Sequence, residues 1–173
     1  MNSPVRMRES ISARVVTSPG PDAAHLRLRV TTSEEIEIVD LTDQIARFVA
    51  GARLRSGILA MHTLHTTTAV VLNEDEPLLR EDIRLQLERM APRGQAYNHD
   101  DLSRRCVNLM PEERVNGHAH CRALLLGASI SLGIMNGQLL LGRWQRILFV
   151  DLDGPQERQV MATLIGTSLP SPC

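Results

Sequence analysis

The chain finishes in a succession of short apolar runs parted by turn signals, and that spacing constrains its fold more than any other feature. Ile130 to Met135 is followed by Asn136-Gly137, and Gln138 to Leu141 then returns. Ile147 to Leu152 comes next, then Asp153-Gly154-Pro155, then Arg158 to Ile165. Each run has the length of a strand and is too short for a helix. Asn-Gly suits both central positions of a type I′ hairpin turn, where φ is positive. The end of the chain is therefore expected to be β throughout.

The first half mixes periods. His25 to Val30 and Ile36 to Val39 alternate apolar and polar residues, the signature of strands with one wet face. Asp40 or Thr42 can cap a helix that carries Ile45, Phe48 and Val49 and stops at Gly51. Gly57 to His65 reads as a buried strand and Ala69 to Leu72 as another. Pro77 suits the first turn of a helix with Ile83, Leu87 and Met90 along one face, ended by Pro92 and Gly94. Residues 93–116 form a long polar connection, and such segments are often functional. His118 to Leu126 is a short helix ended by Gly127. Residues 1–23, rich in Ser, Pro and Arg, are expected to be a flexible N-terminal segment, with one domain over 24–168. The expected class is α+β: a single compact domain, a largely antiparallel β-sheet assembly covered by two or three helices.

Aromatic residues make up only 2% of the chain, so the core must rest on aliphatic side chains and Met. All 19 basic residues are arginine. That excludes a P-loop lysine, a Schiff-base lysine and a Ser–Lys dyad, and leaves only the fork-shaped cation. A formal net charge of -1 and the scarcity of stacking rings argue against nucleic acid as a partner. The apolar runs fall well short of the roughly 20 residues a membrane span needs. No apolar segment follows the charged start, so no secretory signal is expected. Cys106, Cys121 and Cys173 show no paired spacing, which fits reduced thiols in a cytoplasm.

Three histidines sit in separate polar segments: His65 before Thr66 and Thr67, His99 before Asp100, and His120 in Asn-Gly-His-Ala-His. Neutral imidazole is the commonest nitrogen ligand for zinc, and three histidines meeting would leave an open coordination position. Singly, each has a plainer reading: a strand-end ring bonded to a carbonyl, a solvated acidic turn, or a chance His-x-His. His62 falls on the opposite strand face from His65 and is expected to be a supporting or core residue. His118 and His120 do not share a helix face. Asp75 and Glu76 complement a helix dipole, while Asn73 ends a strand and is kept as a site residue. Trp144 beside Gln145 at a strand entry could wall a pocket.

Taken in order, these segments resemble the YjbQ-like family, whose members are described as secondary thiamine-phosphate synthases. The resembling residues are His65-Thr66-Thr67, Asn73-Glu74, Glu81-Asp82, Tyr97-x-His99-Asp100, Ala119-His120, Leu125-Leu126-Gly127 with Ser129, Gly137 to Gln145 around Trp144, and Asp151-x-Asp153-Gly154-Pro155. The resemblance implies a compact α+β domain assembled as a homotrimer. It implies a divalent metal held by His65, His99 and His120, zinc first, with Mg or Mn as alternatives. It also implies a small phosphorylated substrate: a pyrimidine-methyl diphosphate is coupled to a thiazole phosphate and pyrophosphate is released. Arg122 would then assist at the diphosphate, with Asn73, Asp100 and Gln145 as further catalytic residues. Trp144 would contact the ring, and Thr66, Thr67 and Ser129 would bind substrate. Gln156 stands where the family usually has Arg, and Arg158 is the nearest substitute. The rivals are a metal-dependent hydrolase of a small phosphorylated or cyclic metabolite and a non-enzymatic trimeric binding protein.

Overall fold

The computed structural model describes residues 11–17 and 23–168. The elements run β1 (Ile11–Thr17), β2 (Ala23–Thr31), β3 (Glu37–Asp40), α1 (Thr42–Gly51), β4 (Leu54–Thr63), β5 (Thr68–Asn73), α2 (Pro77–Met90), a 3₁₀ turn (Asn98–Asp100), α3 (Gly117–Leu126), β6 (Ser129–Met135), β7 (Gln138–Leu139), β8 (Arg146–Asp151) and β9 (Glu157–Ser168). A six-stranded sheet has the order β1-β2-β9-β4-β6-β7, and a three-stranded sheet the order β3-β8-β5. Every pairing between them is antiparallel. The α+β class and single compact domain expected from the sequence are what the chain adopts.

The alternation in β2 explains the packing. Leu26, Leu28 and Val30 point inward and are buried, while the residues between them face out. Leu59 and Met61 of β4, and Val160, Ala162 and Leu164 of β9, fall on the same inner face. They meet Ile147 and Phe149 of β8, Val70 of β5, and Ile45, Phe48 and Val49 of α1 in one core cluster. Each such side chain, fully buried, contributes about 1.5–3 kcal/mol. The other face of the three-stranded sheet presents Ala69, Leu148 and Val150 to Leu87 of α2 and Ala119 and Ala123 of α3. So β8 is covered on both sides, as its near-continuous apolar run requires.

Three local readings change. Among the described residues the sheet already includes Ile11, because β1 pairs along β2 from Ile11↔Val30 to Thr17↔Ala24. A flexible segment over residues 1–23 therefore does not describe residues 11–17. The run from Gly57 to His65 is half-exposed, since its outer face carries Ile58, Ala60 and His62 to the surface. His62 is thus neither core nor support for His65. The helices are placed unevenly: α2 and α3 lie on the outer side of the three-stranded sheet, α1 packs into the core between the sheets, and among the described residues no helix lies on the outer face of the six-stranded sheet.

Turn chemistry behaves as the sequence requires. Asn136 and Gly137 both have positive φ, 51° and 75°, and join β6 to β7. Gly57 and Gly166 are cross-strand partners, and a Cβ on either would run into the opposing backbone. The α2 N-cap is Glu76, whose carboxylate accepts from the N–H groups of Leu78 and Leu79. No helix among the described residues is long and apolar enough to cross a membrane.

Candidate functional site

Four segments converge at one end of the three-stranded sheet: the β4–β5 turn, the 93–116 segment, the start of α3 and the β8–β9 connection. The β8–β9 connection is anchored by a buried ion pair. Asp151 is fully buried and accepts from the Arg158 guanidinium at 2.9 and 2.8 Å. Thr32 Oγ1 donates to the same carboxylate at 2.7 Å. Arg158 also donates to the Asp153 carbonyl and to Gln156 Oε1. A buried, fully partnered pair of this kind fixes geometry, and removing one partner leaves a costly lone charge.

Asp100 ties the polar connection to α3. Its Oδ1 accepts from the backbone N–H groups of Asn116 (3.1 Å) and Gly117 (2.9 Å), and lies 3.4 Å from His99 Nδ1. A carboxylate at a helix N-terminus satisfies groups the helix cannot. Asp100 therefore positions His99 beside α3. The His99 and His120 rings lie 4.6 Å apart between centroids. Burial, and then the neighbouring His99, holds His120 below the usual imidazole range. His65 is lowered too, first by burial and then by the Arg158 cation. Both are thus neutral near pH 7.

His120 borders two hollows. One, of 430 Å³, also touches Thr66, Thr67, His99, Arg105 and Arg114. The other, of 640 Å³, also touches His65, Thr66, Leu64 and Leu124. Thr66 is exposed between them, whereas Thr67 is buried and gives its carbonyl to Leu152 N–H. Each arginine of the first hollow has its carboxylate: Arg105 with Glu113 at 2.6 Å, Arg114 with Asp153 at 3.0 Å, and Arg158 with Asp151 at 2.8 Å. The Met110 N–H and Arg105 hold Glu113 below the usual carboxylate range.

His65 is turned away from a common focus. Its Nε2 accepts the Gln159 backbone N–H at 2.8 Å, stitching the β4–β5 turn to β9. Among the described residues, no three His, Cys, Asp or Glu side chains are arranged to hold a metal ion. A metal here would meet His99 and His120 as neighbouring rings, and His65 would have to give up Gln159 to join them.

The other expected site residues divide. Arg122 does not reach the cleft. It is fully buried on another face of α3, donating to the Ala91 carbonyl at 2.9 Å and pairing with Glu88. Two residues from His120, the helix turns it away. Ser129 is exposed on the outer sheet face opposite His62. Asn73 pairs with Arg146 at one end of β8, while Thr68 pairs with Asp151 at the other. At strand rise those ends are about 17 Å apart. Trp144 and Gln145 lie at the Asn73 end. Trp144 is 62% exposed, with Arg143 stacked 4.8 Å from its ring centroid. Gln145 accepts from Gly142 N–H at 2.7 Å. The chain's own cleft thus holds His99, His120 and Thr66, with His65 and Thr67 at its border, and lacks Asn73, Trp144 and Gln145.

Sequence reasoning missed Arg105, Glu113, Arg114 and Asn116. The signal was the charge density of the 93–116 connection. Asn116 Nδ2 donates to buried Asp153 at 2.9 Å, and its own side-chain oxygen is buried without a partner.

A family model described as UPF0047 protein YjbQ-like matches residues 26–167. The chain belongs to that family. It is 41% identical over 136 residues to a UPF0047 protein of Archaeoglobus fulgidus, covering 79% of this chain and 97% of that one. Against the UPF0047 protein YugU of Bacillus subtilis the identity is 28%, covering 80% and 97%. Among solved structures, a protein of unknown function from Sulfolobus solfataricus superposes with a TM-score of 0.73 at 29% identity, covering 90% and 99%. A hypothetical protein from Aeropyrum pernix gives 0.72 at 33% identity, covering 82% and 98%.

Proposed function

We propose that the His99–His120 cleft binds a small phosphorylated metabolite and that the chain is a thiamine-phosphate synthase-like transferase. The observation that carries this is the contact between the two imidazoles on a wall bearing Arg105 and Arg114. In the reaction the thiazole nitrogen bonds to the pyrimidine methylene carbon as its bond to the diphosphate oxygen breaks. Pyrophosphate leaves with the bonding electrons. Charge develops on that leaving group, and preorganised cations and donors aimed there lower the barrier. Arg105 and Arg114 supply the cations, exchanging Glu113 and Asp153 for phosphate oxygens. Exposed Thr66, His99 and His120 supply hydrogen bonds.

A divalent metal, zinc first with Mg or Mn as alternatives, belongs to the same proposal. His99 and His120 would hold it, with His65 as third donor on release of the Gln159 amide. Such an ion would neutralise diphosphate charge. A homotrimer in the cytoplasm is likewise proposed. Asn73, Trp144 and Gln145 stand about a strand's length from their own cleft, so another copy is what could bring them to it.

The test is product analysis. Purified protein is given hydroxymethylpyrimidine diphosphate and thiazole phosphate. The proposal expects thiamine phosphate and pyrophosphate in equal amounts, with formation reduced by about 100-fold or more in His120→Ala, the scale of a lost acid–base or donor group. Water-derived oxygen in a cleaved product would favour the hydrolase instead. Retention of the diphosphate without turnover would favour a binding protein.

A further inference from the structure

We propose that the outer face of β1 and β2 carries an anion site separate from the histidine cleft, built by Arg14, Arg27, Arg29 and His25 for a multiply charged phosphate anion. Register places these residues together. In β2 the inward positions are Leu26, Leu28 and Val30, so His25, Arg27 and Arg29 face out. Arg14 of β1 lies directly opposite Arg27, and Ser12 directly opposite Arg29. On the other flank Arg27 faces Met161, and His25 faces Thr163, whose Oγ1 lies 3.1 Å from His25 Nδ1.

Two arginines directly across a strand pair repel and destabilise a sheet. Here a third arginine sits two residues along. The hollow they line has a volume of 580 Å³ and also touches Ser12, His25 and Met161. That is the size of a small-molecule site. No carboxylate is among its described lining residues. The nearest recorded ion pair, Arg29 with Glu157 at 3.8 Å, is long and more than half exposed on both sides, so solvent screens it. The cleft differs, because all three arginines that line it, Arg105, Arg114 and Arg158, already hold carboxylates. The chain's formal charge is only -1, so this cluster is a local feature and not the overflow of a basic protein. Guanidinium forks match phosphate oxygens in pairs, and an anion seated here would turn the Arg14–Arg27 repulsion into shared binding.

Inorganic pyrophosphate and tripolyphosphate are the probes, titrated calorimetrically into the full chain without substrates. The Arg14→Gln/Arg27→Gln double variant should bind at least tenfold more weakly at this site, while His120→Ala should keep it. In anion-free buffer the double variant should melt at or above the parent's temperature, because the repulsion is gone. Added pyrophosphate should then raise the parent's melting temperature by more than the variant's, whose remaining shift comes from the cleft alone. An unchanged titration in the double variant would overturn the proposal. So would loss of all binding in His120→Ala, which assigns the anion to the cleft. A lower native mass in the double variant would also overturn it, since another copy's carboxylates would then occupy the face. None of these readouts depends on turnover, so they stand or fall apart from the synthase reading.

Discussion

The cleft and the outer face of the large sheet are both rich in arginine, and they use it in opposite ways. In and beneath the cleft, Arg158 is buried against Asp151, Arg114 holds Asp153 and Arg105 holds Glu113. Those guanidiniums set the shape of the loops that carry the histidines. On the outer face Arg14 and Arg27 stand directly opposite each other across the strand pair, with no carboxylate lining their hollow among the described residues, and Arg29 has a long, exposed partner. The first arrangement fixes a geometry; the second leaves charge available. Arginine count alone separates neither, because the distinction lies in which side chains the fold brings opposite each guanidinium.

The sharpest way to break the comparison is to remove one partner of the buried pair. Asp151→Asn should destabilise the fold by about 3–5 kcal/mol, the range for an orphaned buried charge, read as a shifted midpoint in urea. A shift below about 1 kcal/mol would mean that Arg158 is hydrated and the cleft floor is not anchored as described. His120→Ala comes next in size on activity. It should leave stability nearly intact, because the ring is only half-buried, while product formation falls by about 100-fold or more. Metal content should fall with it, and also in His99→Ala.

The pH dependence is smaller. His65, His118 and His120 are all lowered below the ordinary imidazole value, with burial the first cause in each. Below about pH 6.5 the unfolded chain takes up protons on these rings before the folded chain does. Stability of metal-free protein is therefore full above that pH and is lost as pH falls through the folded values. Denaturation curves from pH 8 down to 5 should show this decline, and the His65→Gln/His118→Gln pair should flatten it. The smallest effect is Arg29→Gln on the outer face, expected within about 0.5 kcal/mol of the parent.

Much of the fold was legible in the sequence. The Asn136-Gly137 turn, the helix opened by Pro77, the stop at Gly127 and the strand at Ile147 follow from local chemistry. What local chemistry does not carry is the neighbour of each strand. Alternation in Arg158 to Ile165 says that one face is wet, and nothing in it says that β9 lies between β2 and β4. The site divides in the same way. The approach of His99 to His120 depends on Asp100 capping a helix sixteen residues further on, a link with no short-range signal. His65's bond to Gln159 joins residues 94 apart. Arg122 is a different case. The helical period that separates His118 from His120 also turns Arg122 away from His120, so its absence from the cleft followed from the same rule.

The measurement that bears most directly on the central claim is product formation from hydroxymethylpyrimidine diphosphate and thiazole phosphate, run side by side with the parent chain and His120→Ala. The expected result is thiamine phosphate and pyrophosphate in equal amounts from the parent, and about 100-fold less or none from the variant at unchanged stability. Equal product from both, or no product from a folded and metal-loaded parent, would contradict the assignment of this chemistry to the His99–His120 cleft.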